Sequence, residues 1–247
     1  MVDNINNSEI SNTKPKTKFK LAKTIIWSVF YFVIIMTLCF SSTALVFRNY
    51  FSPVYIDGSS MLPTLNKKES ENGRKDFGLV DTSKKCIDSI ELYDIITCYF
   101  PPALEEEDYN IPYTKGDAPK ENASHKIKRV VALPNQTFQI IKNDFYFFDS
   151  QEDETGEKVE LPFERKLPIR ENHAINTNKI TLAEDEYFVM GDNWSASKDC
   201  ADYNHPIYKD NIVGVLIAII GTCKVEYGTG SERIISDKQY HWPVFYK

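Results

Sequence analysis

The chain has 247 residues and an apolar share of 42%, enough for one sizeable core plus an anchor. Its 29 basic and 35 acidic side chains give a net charge of −6 at pH 7, which argues against a nucleic-acid partner, since that affinity rests on neutralising phosphates. Four scattered histidines and five cysteines without a C-x-x-C pair argue against zinc.

Residues 1–23 form a basic tail, with Lys14, Lys16, Lys18, Lys20 and Lys23 against only Asp3 and Glu9. Residues 24–47 carry no charge, and a bilayer core needs about 20 apolar residues in helical form. Trp27 and Tyr31 sit near the start of this run, where amphipathic rings favour the interface. A cleavable signal would have a shorter apolar region of about 7–15 residues, so an uncleaved transmembrane helix is expected. Ser42-Thr43-Ala44 keeps the spacing of a self-cleavage site. By the positive-inside rule the tail stays cytoplasmic and residues 48–247 are exported, giving a single-pass protein of the cell membrane with the lipid bilayer as a partner.

Residues 49–56, with Pro53, read as a short tether to Asp57-Gly58-Ser59-Ser60-Met61-Leu62-Pro63-Thr64-Leu65, which would hold that turn close to a membrane surface. Gly58 frees the backbone of this turn and Pro63 stiffens it, so the Ser60 hydroxyl is expected to be presented on a fixed frame; most such loops are only loops. Residues 66–76 read as an exposed polar loop. Residues 77–80, 93–100, 127–133, 137–142, 145–148 and 186–190 are short, β-branched or aromatic runs expected as strands. Residues 212–223 are apolar but too short to span a bilayer as a helix, and read as one or two buried strands broken at Gly221. Residues 101–125 and 149–179 read as peripheral insertions. Strands dominate after the anchor, so the exported domain is expected to be mainly antiparallel β. Cys86, Cys98, Cys200 and Cys223 allow one or two disulfides without a unique pairing.

A serine hydroxyl is a weak nucleophile at neutral pH and needs a base. His125 and His205 could serve, although neither sits in a motif that would fix it against Ser60. A buried lysine can replace histidine, because loss of water lowers its pKa from about 10.4 toward neutrality. Lys128 lies in Ile127-Lys128-Arg129-Val130-Val131-Ala132-Leu133-Pro134, whose apolar neighbours could supply that burial; the plainer reading is a solvated lysine on a strand face. A third stretch, Met190-Gly191-Asp192-Asn193-Trp194-Ser195-Ala196-Ser197-Lys198-Asp199, brings Asp192, Asn193, Ser197 and Asp199 together on a polar turn. By itself that turn suits an Asx-turn, or less well a calcium-like loop.

In their order, Ser60-Met61-x-Pro63-Thr64-Leu65, Tyr93-Asp94-Ile95, Lys128-Arg129-Val130-Val131-x-Leu133-Pro134 and Gly191-Asp192-Asn193 with Ser197-x-Asp199 resemble the boxes of type I signal peptidases, from about residue 24 to 220. The resemblance implies a membrane-anchored β-fold endopeptidase, free of cofactors, that removes signal peptides from exported preproteins after small-x-small sequences. Ser60 matches the nucleophile and Lys128 the general base. Ser197 matches the hydroxyl that orients the lysine, Asp199 a structural acid, and Asp192 and Asn193 belong to the same box. Tyr55, Ile56, Asp57, Gly58, Ser59 and Met61 would partly line shallow substrate pockets, with the Ser60 N–H as oxyanion donor. Trp194 and Ala201 stand where the family has arginines and Cys200 where it has serine, so Asp199 is expected to stay solvated or to pair with Lys198 or Arg129. Two other readings keep part of this picture: a specialised member serving one exported substrate, and a non-catalytic membrane-tethered domain that binds exported chains.

Overall fold

The computed structural model describes residues 15–67, 73–100, 125–167, 174–228 and 233–247. Apart from His125, the expected insertion at 101–125 lies outside the described residues. The chain divides into two compact units, Met1–Asn49 and Tyr50–Lys247.

The first unit is the helix α1, Pro15–Tyr50, longer at both ends than the uncharged run alone. Its segment Lys20–Tyr50 is long and apolar enough to cross a membrane. Its large apolar side chains from Leu21 to Tyr50 are exposed.

The second unit is built from two antiparallel sheets. The larger contains β1 (Phe51–Tyr55), β2 (Lys75–Asp81), β3 (Ile95–Tyr99), β4 (His125–Ala132), β9 (Glu186–Met190), β10 (Ile207–Tyr208), β11 (Ile212–Tyr227) and β12 (Arg233–Phe245). Its order is β1-β2-β11-β3-β4-β9-β10, with β12 also paired to β11. The smaller sheet contains β5 (Thr137–Ile141), β6 (Asp144–Phe148), β7 (Glu157–Val159) and β8 (Ile180–Thr181), in the order β7-β6-β5-β8. Among the described residues the unit also has two short α-helices, α2 (Lys84–Asp88) and α3 (Cys200–Tyr203), and a 3-10 turn at Lys209–Asn211.

The expected strands are present to within a few residues, and four differences have physical causes. Residues 51–55 are not a tether but the edge strand β1, where Pro53 is tolerated because an edge has a side that needs no donor. The loop before β2 is not wholly exposed: Asn66 is buried, and its side-chain amide donates to Ile56 O at 2.8 Å and Gly58 O at 3.1 Å. β11 runs unbroken through Gly221, where the register shifts and a side chain would strike Gln239 O and the Phe77 ring. β12 was not expected, because it is exposed along most of its length and shows no buried alternation. It is held through buried Arg74, whose Nε donates to Thr222 Oγ1 at 2.9 Å and whose Nη1 reaches Asp237 Oδ2 at 2.6 Å.

Two apolar clusters fill the unit. One joins the sheets through Phe138, Phe145, Phe188 and Val189. The other, made of Ile56, Met61, Leu65, Val80, Ile95, Leu216 and Ile219, lies directly under the Ser60 turn. Each fully buried apolar side chain of this size stabilises by roughly 1.5–3 kcal/mol, so Met61 and Leu65 anchor the turn at its middle and its C-terminal end. The four cysteines of this unit are buried and unpaired, so no disulfide braces it.

Candidate active site

The Ser60 turn is fixed from both sides. Below it, Met61 and Leu65 are fully buried. Beside it, the backbone N–H of Asn193 donates to Ser60 O at 2.8 Å and the Asn193 side-chain amide to Ser59 O at 3.1 Å. Gly191 makes this contact feasible, since a Cβ there would collide with Ser60 O and Ser197 Oγ. Thr64 Oγ1 donates to Asp192 Oδ2 at 2.5 Å, joining the far end of the turn to the same segment.

Lys128 comes from the middle of β4, paired opposite Ile96 of β3. Its side chain is almost fully buried, and Nζ lies 2.9 Å from Ser60 Oγ. Burial pushes the Lys128 amine below the ordinary lysine range, against a smaller opposing pull from the Asp199 carboxylate. The next residue, Arg129, faces the other way along the strand and grips Asp192, with Nε to Oδ1 at 2.8 Å and Nη2 to Oδ2 at 2.7 Å. Arg129 also donates to Tyr93 O at 2.9 Å, and its guanidinium stacks over Phe163 at 4.3 Å. This buried ion pair ties β4, the Tyr93 turn, the Ser60 turn and the end of β9 into one frame.

Ser60 and Lys128 lie in a groove of about 520 Å³. Tyr55, Ile56, Asp57 and Gly58 form one wall, and Thr97, His125, Lys126 and Ile127 contribute from β3 and β4. A neutral amine at hydrogen-bond distance from a serine hydroxyl, at the edge of an open groove, can accept the serine proton while the oxygen attacks a carbonyl carbon.

Residues 24–220 match the family described as signal peptidase, peptidase S26. The chain belongs to this family. It is 29% identical over 177 residues to signal peptidase I P of Bacillus subtilis subsp. natto, covering 69% of this chain and 77% of that one. Signal peptidase I S of Bacillus subtilis (strain 168) is 28% identical over 163 residues, or 63% and 70% of the two chains. A protein named probable signal peptidase I-1, from Synechocystis sp., is 30% identical over 162 residues, or 66% and 67%. The chain is therefore a serine endopeptidase of the signal peptidase I type, which removes signal peptides from exported preproteins.

Asp199 neither stays solvated nor pairs with Arg129. It is buried and caps the short helix α3, accepting from Ala201 N at 3.2 Å, Ser197 Oγ at 2.5 Å and Gly191 N at 2.9 Å. Burial raises the Asp199 carboxyl above the usual range, while these donors pull it back. The Ser197 hydroxyl donates to Asp199, and the Lys128 amine donates to the Ser60 hydroxyl. Trp194 packs on Phe145 at 5.9 Å and beneath the Arg165 guanidinium at 5.0 Å. The buried Trp194 indole N–H has no hydrogen-bond partner among the described residues.

Not every expected groove residue lines the groove. Met61 lies in the core under the turn, and Ser59 meets Asn193 through its carbonyl. The sequence reading overlooked Lys126, which shares the face of Lys128 two residues along β4, a signal that strand alternation carries. It also overlooked Tyr227, Arg233 and Ile235, which line the groove from β11 and β12. Their signal was absent, since nothing local marks the exposed strand β12 as part of a site. The 149–179 excursion is not wholly peripheral either: Phe163 and Arg165 reach Arg129 and Trp194, and Lys166 N donates to Asp192 O at 2.8 Å.

Proposed function

We propose that Ser60 is the nucleophile and Lys128 the general base of this peptidase, and that it cuts after small-x-small sequences with its N-terminal tail in the cytoplasm and its catalytic unit on the extracytoplasmic face. The observation that carries this reading is the 2.9 Å separation of Lys128 Nζ from Ser60 Oγ, with the amine buried. In the first step Lys128 takes the Ser60 proton as Oγ attacks the scissile carbonyl. Lys128 then returns a proton to the leaving amine, and an ester links the signal peptide to Ser60. Water, deprotonated by the same amine, releases the signal peptide and regenerates the hydroxyl. The Ser60 N–H serves the developing oxyanion, a contribution typically of about 3 kcal/mol for one such donor. Gly58 has no side-chain hydroxyl to add a second.

In this scheme Asp192, Asn193, Ser197 and Asp199 act as positioning residues. Arg129–Asp192 and Asn193 hold the Ser60 turn, and Asp199 with Ser197 holds the start of α3 beside the Lys128 amine. The helix α1 anchors the chain, with the lysine-rich tail setting its orientation.

Purified full-length protein mixed with a signal-bearing precursor tests this reading. Wild type is expected to release a mature chain whose N-terminus follows a small-x-small sequence. Ser60→Ala and Lys128→Arg are each expected to lose at least about a thousandfold in rate, the latter because guanidinium keeps its proton in this pH range. Undiminished cleavage by either variant would refute the dyad.

A further inference from the structure

The hairpin of β11 and β12 contributes Tyr227, Arg233 and Ile235 to the groove that holds Ser60 and Lys128. These residues lie beyond residue 220, where the family match ends. Across the groove, Arg233 Nε stands 3.7 Å from Asp57 Oδ2. The two ends of this pair are held unequally. Asp57 is 15% exposed and has a second cation behind it: Lys75 Nζ lies 3.8 Å from Asp57 Oδ1 and donates to Asp57 O at 2.7 Å. Arg233 is 58% exposed and projects from the exposed start of β12. Asp57 therefore keeps a counter-charge if Arg233 turns away. An exposed ion pair at this distance binds weakly, whereas a guanidinium can grip a carboxylate through two parallel hydrogen bonds. Lys126 lines the same groove on the face of Lys128.

We propose that this C-terminal hairpin is a wall of the peptide groove, and that Arg233 makes the enzyme prefer precursors with an acidic side chain next to the cleavage site. The inference rests on the peptidase reading above. When such a peptide enters, Arg233 exchanges Asp57 for the substrate carboxylate, while Lys75 stays with Asp57. A basic side chain in that place meets Arg233 with like charge and is disfavoured, so the preference has an attractive and a repulsive part.

The test uses the full-length protein in detergent and one precursor series carrying Asp, Asn or Lys at single positions on either side of the cut. For wild type, kcat/KM is expected to be at least about fivefold higher for Asp than for Lys at one of these positions, expressed mainly in KM. Raising the salt to roughly 1 M is expected to shrink the ratio. Arg233→Gln should bring the ratio close to one and Arg233→Glu should reverse its order; both replace an exposed side chain, so the fold is not at risk. A wild-type ratio near one at every position, or the same ratio in all three proteins, overturns the role of Arg233. Failure of wild type to cut any of the series overturns the peptidase reading instead.

Discussion

A lysine amine removed from water holds its proton less firmly, and Lys128 is the residue on which that effect falls. The unfolded chain keeps an ordinary lysine near pH 10.4, so between the lowered folded value and that point the unfolded state binds more protons, and stability rises with pH. Replacing Lys128 by Met removes this penalty. The variant is expected to melt at a higher temperature than wild type at pH 7, with the gap narrowing as pH rises toward about 10.4; a gap that does not change with pH would contradict the burial of a titrating amine. Its neighbour Arg129 behaves differently, because both it and Asp192 are buried and paired. Asp192→Asn leaves the guanidinium without its carboxylate and is expected to cost about 3–5 kcal/mol in denaturant unfolding. A loss below about 1 kcal/mol would mean that the pair does not organise the site.

At the scale of elements, the site depends on how closely the Gly191–Asn193 turn at the end of β9 approaches the Ser60 turn. Gly191→Ala places a methyl group against Ser60 O and Ser197 Oγ, so the two turns must separate. A displacement of about 1 Å can cost a hundredfold in rate, and a loss of at least that size is expected for this variant, with secondary structure by circular dichroism unchanged. Wild-type activity in Gly191→Ala would show that the contact is dispensable. The strands that lead into the site were legible in the sequence. β4 and β9 are short apolar runs bounded by turn residues, and their motifs stand within a few positions of the residues that use them. What joins them was not legible. Arg129 and Asp192 lie 63 positions apart, and no local pattern pairs them. β1 was obscured by Pro53, β12 by its exposure, and the return of Phe163 and Arg165 to the site by the polar segment that carries them.

At the scale of the molecule, an apolar helix and a β-rich catalytic unit form two separate compact units. The proposed anchoring predicts that the full chain remains with membranes after an alkaline wash, and that protease added on the extracytoplasmic side digests residues beyond 50 while sparing the tail. Recovery in the soluble fraction would contradict α1 as an anchor. The central claim remains the chemistry of Ser60 and Lys128, and the pH dependence of cleavage tests it most directly. Wild type and Lys128→Ala would be compared on one purified precursor from pH 6 to 10, a range of roughly four units that brackets a lowered lysine. The account predicts that wild-type kcat/KM rises along a single limb with its midpoint well below 10.4, about the ordinary lysine value, and that Lys128→Ala shows no cleavage at any pH. Cleavage by Lys128→Ala with the wild-type profile would contradict it.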